Sequence, residues 1–110
     1  MYEIEEYITA AGSSPFGEWI LSLKDKRAQA KIRMKLARAE LGNLGDWKKL
    51  KNAEGVFEMR EHYGAGYRVY FSIINQKIVL LLAGSDKSEQ NRTIKKAKEY
   101  LEDYERRLSS

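Results

Sequence analysis

Between Gly55 and Gly84 the chain reads as three strand-like runs, GVFEMREH, YRVYFSII and KIVLLLA, joined by the connectors YGAG and NQ. Links that short and turn-prone leave room for little but hairpins, so the three runs are expected to form an antiparallel meander. In the first run Phe57 and Met59 alternate with Glu58 and Arg60; in the second Tyr67, Val69, Phe71 and Ile73 alternate with Arg68, Tyr70 and Ser72. Such period-two patterns place one set of side chains on the core and the other on the opposite sheet face. After Lys77 the third run is apolar on both faces, as an interior strand would be.

The flanking segments complete the order. YEIEEYI alternates, with Tyr2, Ile4 and Ile8 opposite Glu3, Glu5 and Tyr7, and suits a short half-buried strand. Ser14 is a good N-cap with Pro15 at the first helical position, and Phe16, Trp19, Ile20 and Leu23 recur at helical spacing. A second helix is expected over about Lys26–Leu41, with an apolar stripe of Ala30, Met34, Ala37 and Leu41 widened by Ile32 and Leu36. Lys31, Lys35 and Arg38 then line its other side, and Gly42 stops it. WKKLK reads as a short edge strand. A last helix begins near Ser88 or Glu89 and carries Ile94, Ala97, Leu101, Tyr104 and Leu108 at spacings of three and four. The expected fold class is α+β, order β-α-α-β-β-β-β-α, with a small antiparallel sheet and helices packed on one face.

At 110 residues, with 43% hydrophobic and 33% charged residues, the chain is expected to be a single domain spanning 1–110. It has no cysteine and one histidine, His62, which argues against a zinc site; no metal and no cofactor is expected. The N-terminal MYEIEEYITAAG is acidic where a secretory signal would be basic, and no apolar run approaches a spanning length, so a cytoplasmic protein without membrane partners is expected. The net charge of +4 is unevenly spread: −4 over residues 1–23, +6 over 24–60 and +2 over 61–110. A basic middle attracts polyanions, though it also describes an ordinary solvated helix face.

On the strand alternation, Glu58, Arg60, Arg68 and Tyr70 share the sheet face away from the helices. Two readings of that face are open. It is a solvated surface with cross-strand ion pairs, or it is a phosphate site in which arginine forks bind phosphate oxygens and a nearby carboxylate accepts a hydroxyl proton. His62, at the strand end before YGAG, and Lys87, in the loop GSDKS, are candidate proton donors. Tyr63 and Tyr70 are candidate stacking surfaces for bases, and Lys48, Lys49 and Lys51 candidate RNA-backbone contacts.

FEMREHYGAGYRVYF, KIVLLLAGSDKSEQNRTIKKAKEY and KKLKNAEGVFEMR together resemble the RelE/HigB toxins of type II toxin-antitoxin modules, a superfamily that includes phage-derived addiction-module killer proteins. The resemblance runs from Tyr2 to about Leu101. It implies a RelE-like fold and a metal-independent endoribonuclease that cleaves messenger RNA on the ribosome and inhibits translation. It implies that Arg68 contacts the scissile phosphate, that Arg60 is a second basic strand residue, that Glu58 is the likeliest base, and that Lys87 or His62 protonates the leaving oxygen. It also implies a cognate antitoxin, encoded by the neighbouring gene and often carrying a helix-turn-helix, through which alone DNA is engaged. The basic helix residues Lys31, Lys35 and Arg38 are candidate contacts for an acidic antitoxin segment or, alternatively, for ribosomal RNA.

The chain departs from the RelE pattern in lacking paired lysines on the first meander strand and the aromatic acid of the last helix. The related ParE branch inhibits DNA gyrase without being an enzyme, and an inactive antitoxin-binding remnant is a third possibility.

Overall fold

A computed structural model describes residues 1–109. The elements are β1 (Glu3–Glu6), α1 (Pro15–Ser22), α2 (Lys26–Glu40), β2 (Trp47–Lys49), β3 (Phe57–Glu61), β4 (Tyr67–Ile74), β5 (Ile78–Asp86) and α3 (Gln90–Leu108), with a 3-10 turn at Lys87–Glu89 before α3. This is the α+β order expected from periodicity. The strands form one sheet in the order β1-β5-β4-β3-β2.

Local chemistry explains most boundaries. Ser14 Oγ accepts the Gly17 N–H at 2.9 Å and caps α1, while Asp25 Oδ1 accepts from Arg27 and Ala28 at 3.0 and 3.2 Å and starts α2. Gly42, at φ +97°, ends α2 in the left-handed region. Asn75 and Gln76 are both left-handed, at φ +53° and +61°, and Lys77 N–H returns to Ile74 C=O at 3.0 Å. That is the geometry two-residue hairpins prefer, because its twist matches the strands it joins.

Two features differ from expectation. The sheet is mixed, because β1 pairs with β5 in parallel while β5-β4-β3-β2 are antiparallel. The helices also occupy both faces. Ile20, Ile32, Leu36 and Ala39 of α1 and α2 pack with Met59, Val69, Phe71, Val79 and Leu81, whereas Ile94, Ala97 and Leu101 of α3 pack with Tyr7, Tyr70, Leu80, Leu82 and Ala83. Alternate residues of β5 thus enter different cores, which is why that strand is apolar on both faces from Ile78 to Ala83. A register shift after Tyr70 lets the consecutive Leu82 and Ala83 both join the α3 side.

The stripe on α2 is also different. Ala28, Ile32, Leu36 and Ala39 are buried, and the other apolar row, Ala30, Met34, Ala37 and Leu41, faces solvent. Ile8 is exposed where burial was expected, and Tyr7 is buried against Tyr100, with ring centroids 5.0 Å apart. Where α1 crosses the sheet, Gly84 is required. A Cβ there would lie 2.1 Å from the Trp19 ring.

Candidate functional site

The site forms at one end of the sheet, where Glu61, Tyr67 and Asp86 stand in register on β3, β4 and β5. Register also pairs Arg60 with Arg68 and Glu58 with Tyr70. These side chains lie on the face that carries α3, so the expected solvated surface is instead largely covered. Glu58 is 1% exposed and Tyr70 fully buried.

Glu58 is the hub of the buried polar row. Its Oε2 accepts from Arg60 Nε and Arg68 Nη1, each at 3.0 Å, and Lys48 Nζ stands 3.9 Å away. A carboxylate held this way by two guanidinium groups is committed to them. The arginines keep the rest of their forks, and both line a cleft of about 100 Å³ together with Glu61, His62, Gly64, Ala65, Gly66, Tyr67 and Lys87. Arg68 is the more enclosed of the two, with 13% of its side chain exposed.

His62 and Lys87 bring transferable protons to the same cleft. His62 Nε2 lies 2.7 Å from Asp46 Oδ2, an acidic residue immediately before β2. The Asp46 carboxyl is held below the ordinary aspartate range, chiefly by that hydrogen bond. Lys87 is exposed, and its chain reaches over Gly66 of the β3-β4 turn. Asp86, next to it, accepts from the Ser88 N–H and Oγ–H at 2.9 and 2.7 Å, which fixes the turn from which Lys87 projects and lowers the Asp86 carboxyl. A second, open depression of about 330 Å³ runs along Lys87–Arg92 and shares Lys87 with the cleft.

The geometry thus gathers Arg60, Arg68, His62 and Lys87 in the cleft and sets Glu58 beneath it. Tyr70 is not available to a base: its hydroxyl lies 3.2 Å from Ser85 Oγ, and burial raises its pKa. Tyr63 is half-buried, with Lys31 Nζ 5.4 Å above its ring. Lys35 approaches Gly45 and adds to the positive field on Asp46. Lys31 and Lys35 therefore run along the flank of α2 nearest the cleft, while Arg38 is exposed further along the helix. Lys49 and Lys51 border a separate depression with Glu54 and Phe57.

A family model for phage-derived Gp49-like proteins (DUF891) matches residues 18–104. The chain belongs to this family. The matched span contains every residue of the cleft and omits β1. The Gp49-like proteins are associated with addiction-module killer toxins, which pair with antitoxins. An uncharacterized protein of Haemophilus influenzae is 46% identical over 83 residues, covering 76% of the present Gp49-like chain and 82% of that relative. Among the described residues, no helix is long and apolar enough to cross a membrane, and no three His, Cys, Asp or Glu side chains gather as a metal-binding group.

Proposed function

We propose that this Gp49-like protein is the RelE/HigB-type toxin of a toxin-antitoxin module and acts as an endoribonuclease on messenger RNA positioned by the ribosome. The observation that carries the reading is the convergence of Arg60, Arg68, His62 and Lys87 on one small cleft above the buried Glu58. Two fixed guanidinium forks suit the non-bridging oxygens of a phosphodiester, and two titratable side chains beside them suit a reaction that needs one proton removed and one supplied.

In this reaction the RNA 2′-hydroxyl attacks the adjacent phosphorus and the bond to the 5′ oxygen breaks, leaving a 2′,3′-cyclic phosphate and a 5′-hydroxyl. Arg60 and Arg68 balance the charge that builds on the phosphoryl oxygens. Glu58 holds the two arginines in place. Its burial and its two guanidinium partners weigh against the role of base expected for it, and leave proton transfer to His62 and Lys87. The cleft is narrow and polar, so it grips little more than the scissile phosphate; the lysine flank of α2 and the depression along Lys87–Arg92 extend the backbone contact.

The antitoxin is assigned to the outward face of α2. Exposed Met34 and Leu41, with Ala30 and Ala37, form an apolar row bordered by Arg27, Arg33 and Arg38. An acidic amphipathic segment complements both features, whereas a second copy would set bases against bases.

The test uses purified protein and translating ribosomes. Cleavage of message at defined sites, persisting in excess EDTA and absent when the site carries a 2′-O-methyl group, is the expected result. Intact message together with gyrase trapped on DNA would replace this reading with the ParE-like one.

A further inference from the structure

Asp46 carries no motif and stands sixteen residues from His62, yet it meets the ring at 2.7 Å. The contact is held from both sides. Asp46 C=O accepts the Arg60 N–H at 2.9 Å, tying its backbone to β3. Just before it, Gly45 is left-handed at φ +63° and its N–H is bonded to Asn43 Oδ1 at 2.9 Å, so a tight turn aims the carboxylate. His62 follows Glu61, the last residue of β3, and lines the cleft beside Arg60, Arg68 and Lys87.

A carboxylate can only accept, so the ring nitrogen facing it is the one that carries hydrogen. With Nε2–H donated to Asp46 Oδ2, the neutral ring has its lone pair on Nδ1. At this exposure, with 74% of the His62 side chain and 49% of the Asp46 side chain open to solvent, the pair contributes little to stability. Its consequence is the orientation and tautomer of the ring.

We propose that Asp46 is a positioning residue that holds His62 as the Nε2–H tautomer, leaving Nδ1 as the atom that takes the 2′-hydroxyl proton in the cleft. This rests on the RNA-cleaving reading of the site. In the step, the O2′–H bond breaks with its proton passing to Nδ1, the O2′–P bond forms, the P–O5′ bond breaks, and the Lys87 ammonium gives a proton to O5′. Afterwards the imidazolium returns its proton to solvent and the Lys87 amine takes one up, which restores both groups. The charged groups around the pair are Arg60 and Glu61 on β3, Arg68 on β4, Lys87 after β5, and Lys35 of α2 on the Asp46 side.

The chain has one histidine, so its ring nitrogens can be read by 15N NMR without ambiguity. In the neutral ring of the wild-type protein the two nitrogens should show a single tautomer protonated at Nε2, and Asp46→Ala should average their shifts toward free imidazole. On RNA, Asp46→Ala should lower kcat roughly 10²-fold, the usual consequence of a misplaced reacting group, with unchanged binding of RNA bearing a 2′-O-methyl group at the cleavage site. Asp46→Glu should recover part of the rate. Identical nitrogen shifts in the wild type and Asp46→Ala would overturn the proposal, and so would altered shifts with an unchanged kcat. Shifts altered in Asp46→Ala, together with a wild-type protein that leaves RNA intact, would keep Asp46 as the residue that sets the ring and remove the RNA-cleaving reading itself.

Discussion

Arg68 on β4 donates Nη1–H to Oε2 of Glu58 on β3 at 3.0 Å, and the carboxylate that receives it is 1% exposed. Arg60 completes the arrangement from two residues along β3. Losing the carboxylate leaves two guanidinium groups facing each other at the edge of the α3 core. Glu58→Ala is therefore expected to destabilise the fold by about 3 to 5 kcal/mol, the range for removing one partner of a buried ion pair. Urea denaturation measures it. A loss under 1 kcal/mol together with abolished cleavage would return Glu58 to the role of base.

Arg60 and Lys87 allow the chemistry to be probed with less damage to the fold. Arg60 has 30% of its side chain exposed, and Arg68 and Lys48 stay beside Glu58 when it is removed. Arg60→Ala should cut the cleavage rate by about 10²- to 10³-fold, as for the loss of one preorganised charge-stabilising donor. Lys87→Ala should leave the melting temperature unchanged and slow cleavage. Wild-type rates in both folded variants would empty the cleft of its proposed function.

The packing of α1 on the sheet depends on a missing side chain. With a Cβ at residue 84 only 2.1 Å from the Trp19 ring, and with Tyr67 edge-on to that ring at 6.3 Å, the indole has little room to retreat. Gly84→Ala should cost about 1 to 3 kcal/mol through overpacking. Trp19→Leu in the same chain should restore part of the loss. A fully additive double variant would show that the two positions do not interact.

The element order and the β3-β4-β5 meander were legible because period-two alternation and the short connectors YGAG and NQ leave few alternatives; the parallel pairing of β1 with β5 was not. What periodicity did not settle was the second layer. IVLLLA, apolar on both faces, already required cover on both sides, but the alternation of β3 and β4 read as one core face and one wet face. That mistaken layer is why Glu58 and Tyr70 were expected in solvent. In α2 two apolar rows coexist, and helical spacing cannot rank Ile32 and Leu36 against Met34 and Leu41; the sheet took the branched pair and left the other row outside. The arginines of the site follow from strand parity. Asp46 does not, because its partnership with His62 arises only when β2 pairs with β3.

Acid stability should follow the carboxyls that the fold holds low. Asp46, Asp86 and Asp103 all lie below the ordinary value of 3.8, Asp103 chiefly through the Tyr7 hydroxyl at 2.5 Å and then Arg107. A carboxyl whose folded pKa is depressed stabilises the fold above its unfolded pKa and loses that contribution as pH falls through the folded value. The melting temperature should thus be flat with respect to these groups above about pH 5, and fall on acidification below it. Asp103→Asn should be less stable than wild type near neutrality, with the gap closing toward pH 2. A gap that widens with acid would reverse the assignment.

The outward face of α2 and its inner flank should separate the two proposed partners, antitoxin and RNA. Met34 is 55% exposed and Leu41 74% exposed, in a row that the core does not use, and Arg27, Arg33 and Arg38 border it. Lys31 and Lys35 instead turn toward Tyr63 and Asp46 at the rim of the cleft. Apolar contact chiefly governs how long a complex lasts, and charge chiefly how fast it forms. With the cognate antitoxin as partner, Met34→Glu with Ala37→Glu should speed dissociation, because a charge would be buried against an apolar surface. Arg27, Arg33 and Arg38 changed together to glutamate should slow association, most strongly at low salt. Lys31→Glu with Lys35→Glu should leave antitoxin association unchanged and weaken ribosome or RNA binding. Dissociation at the wild-type rate from the Met34, Ala37 variant would move the antitoxin to another surface, and slowed antitoxin association in the Lys31, Lys35 variant would show that it reaches over the rim of the cleft.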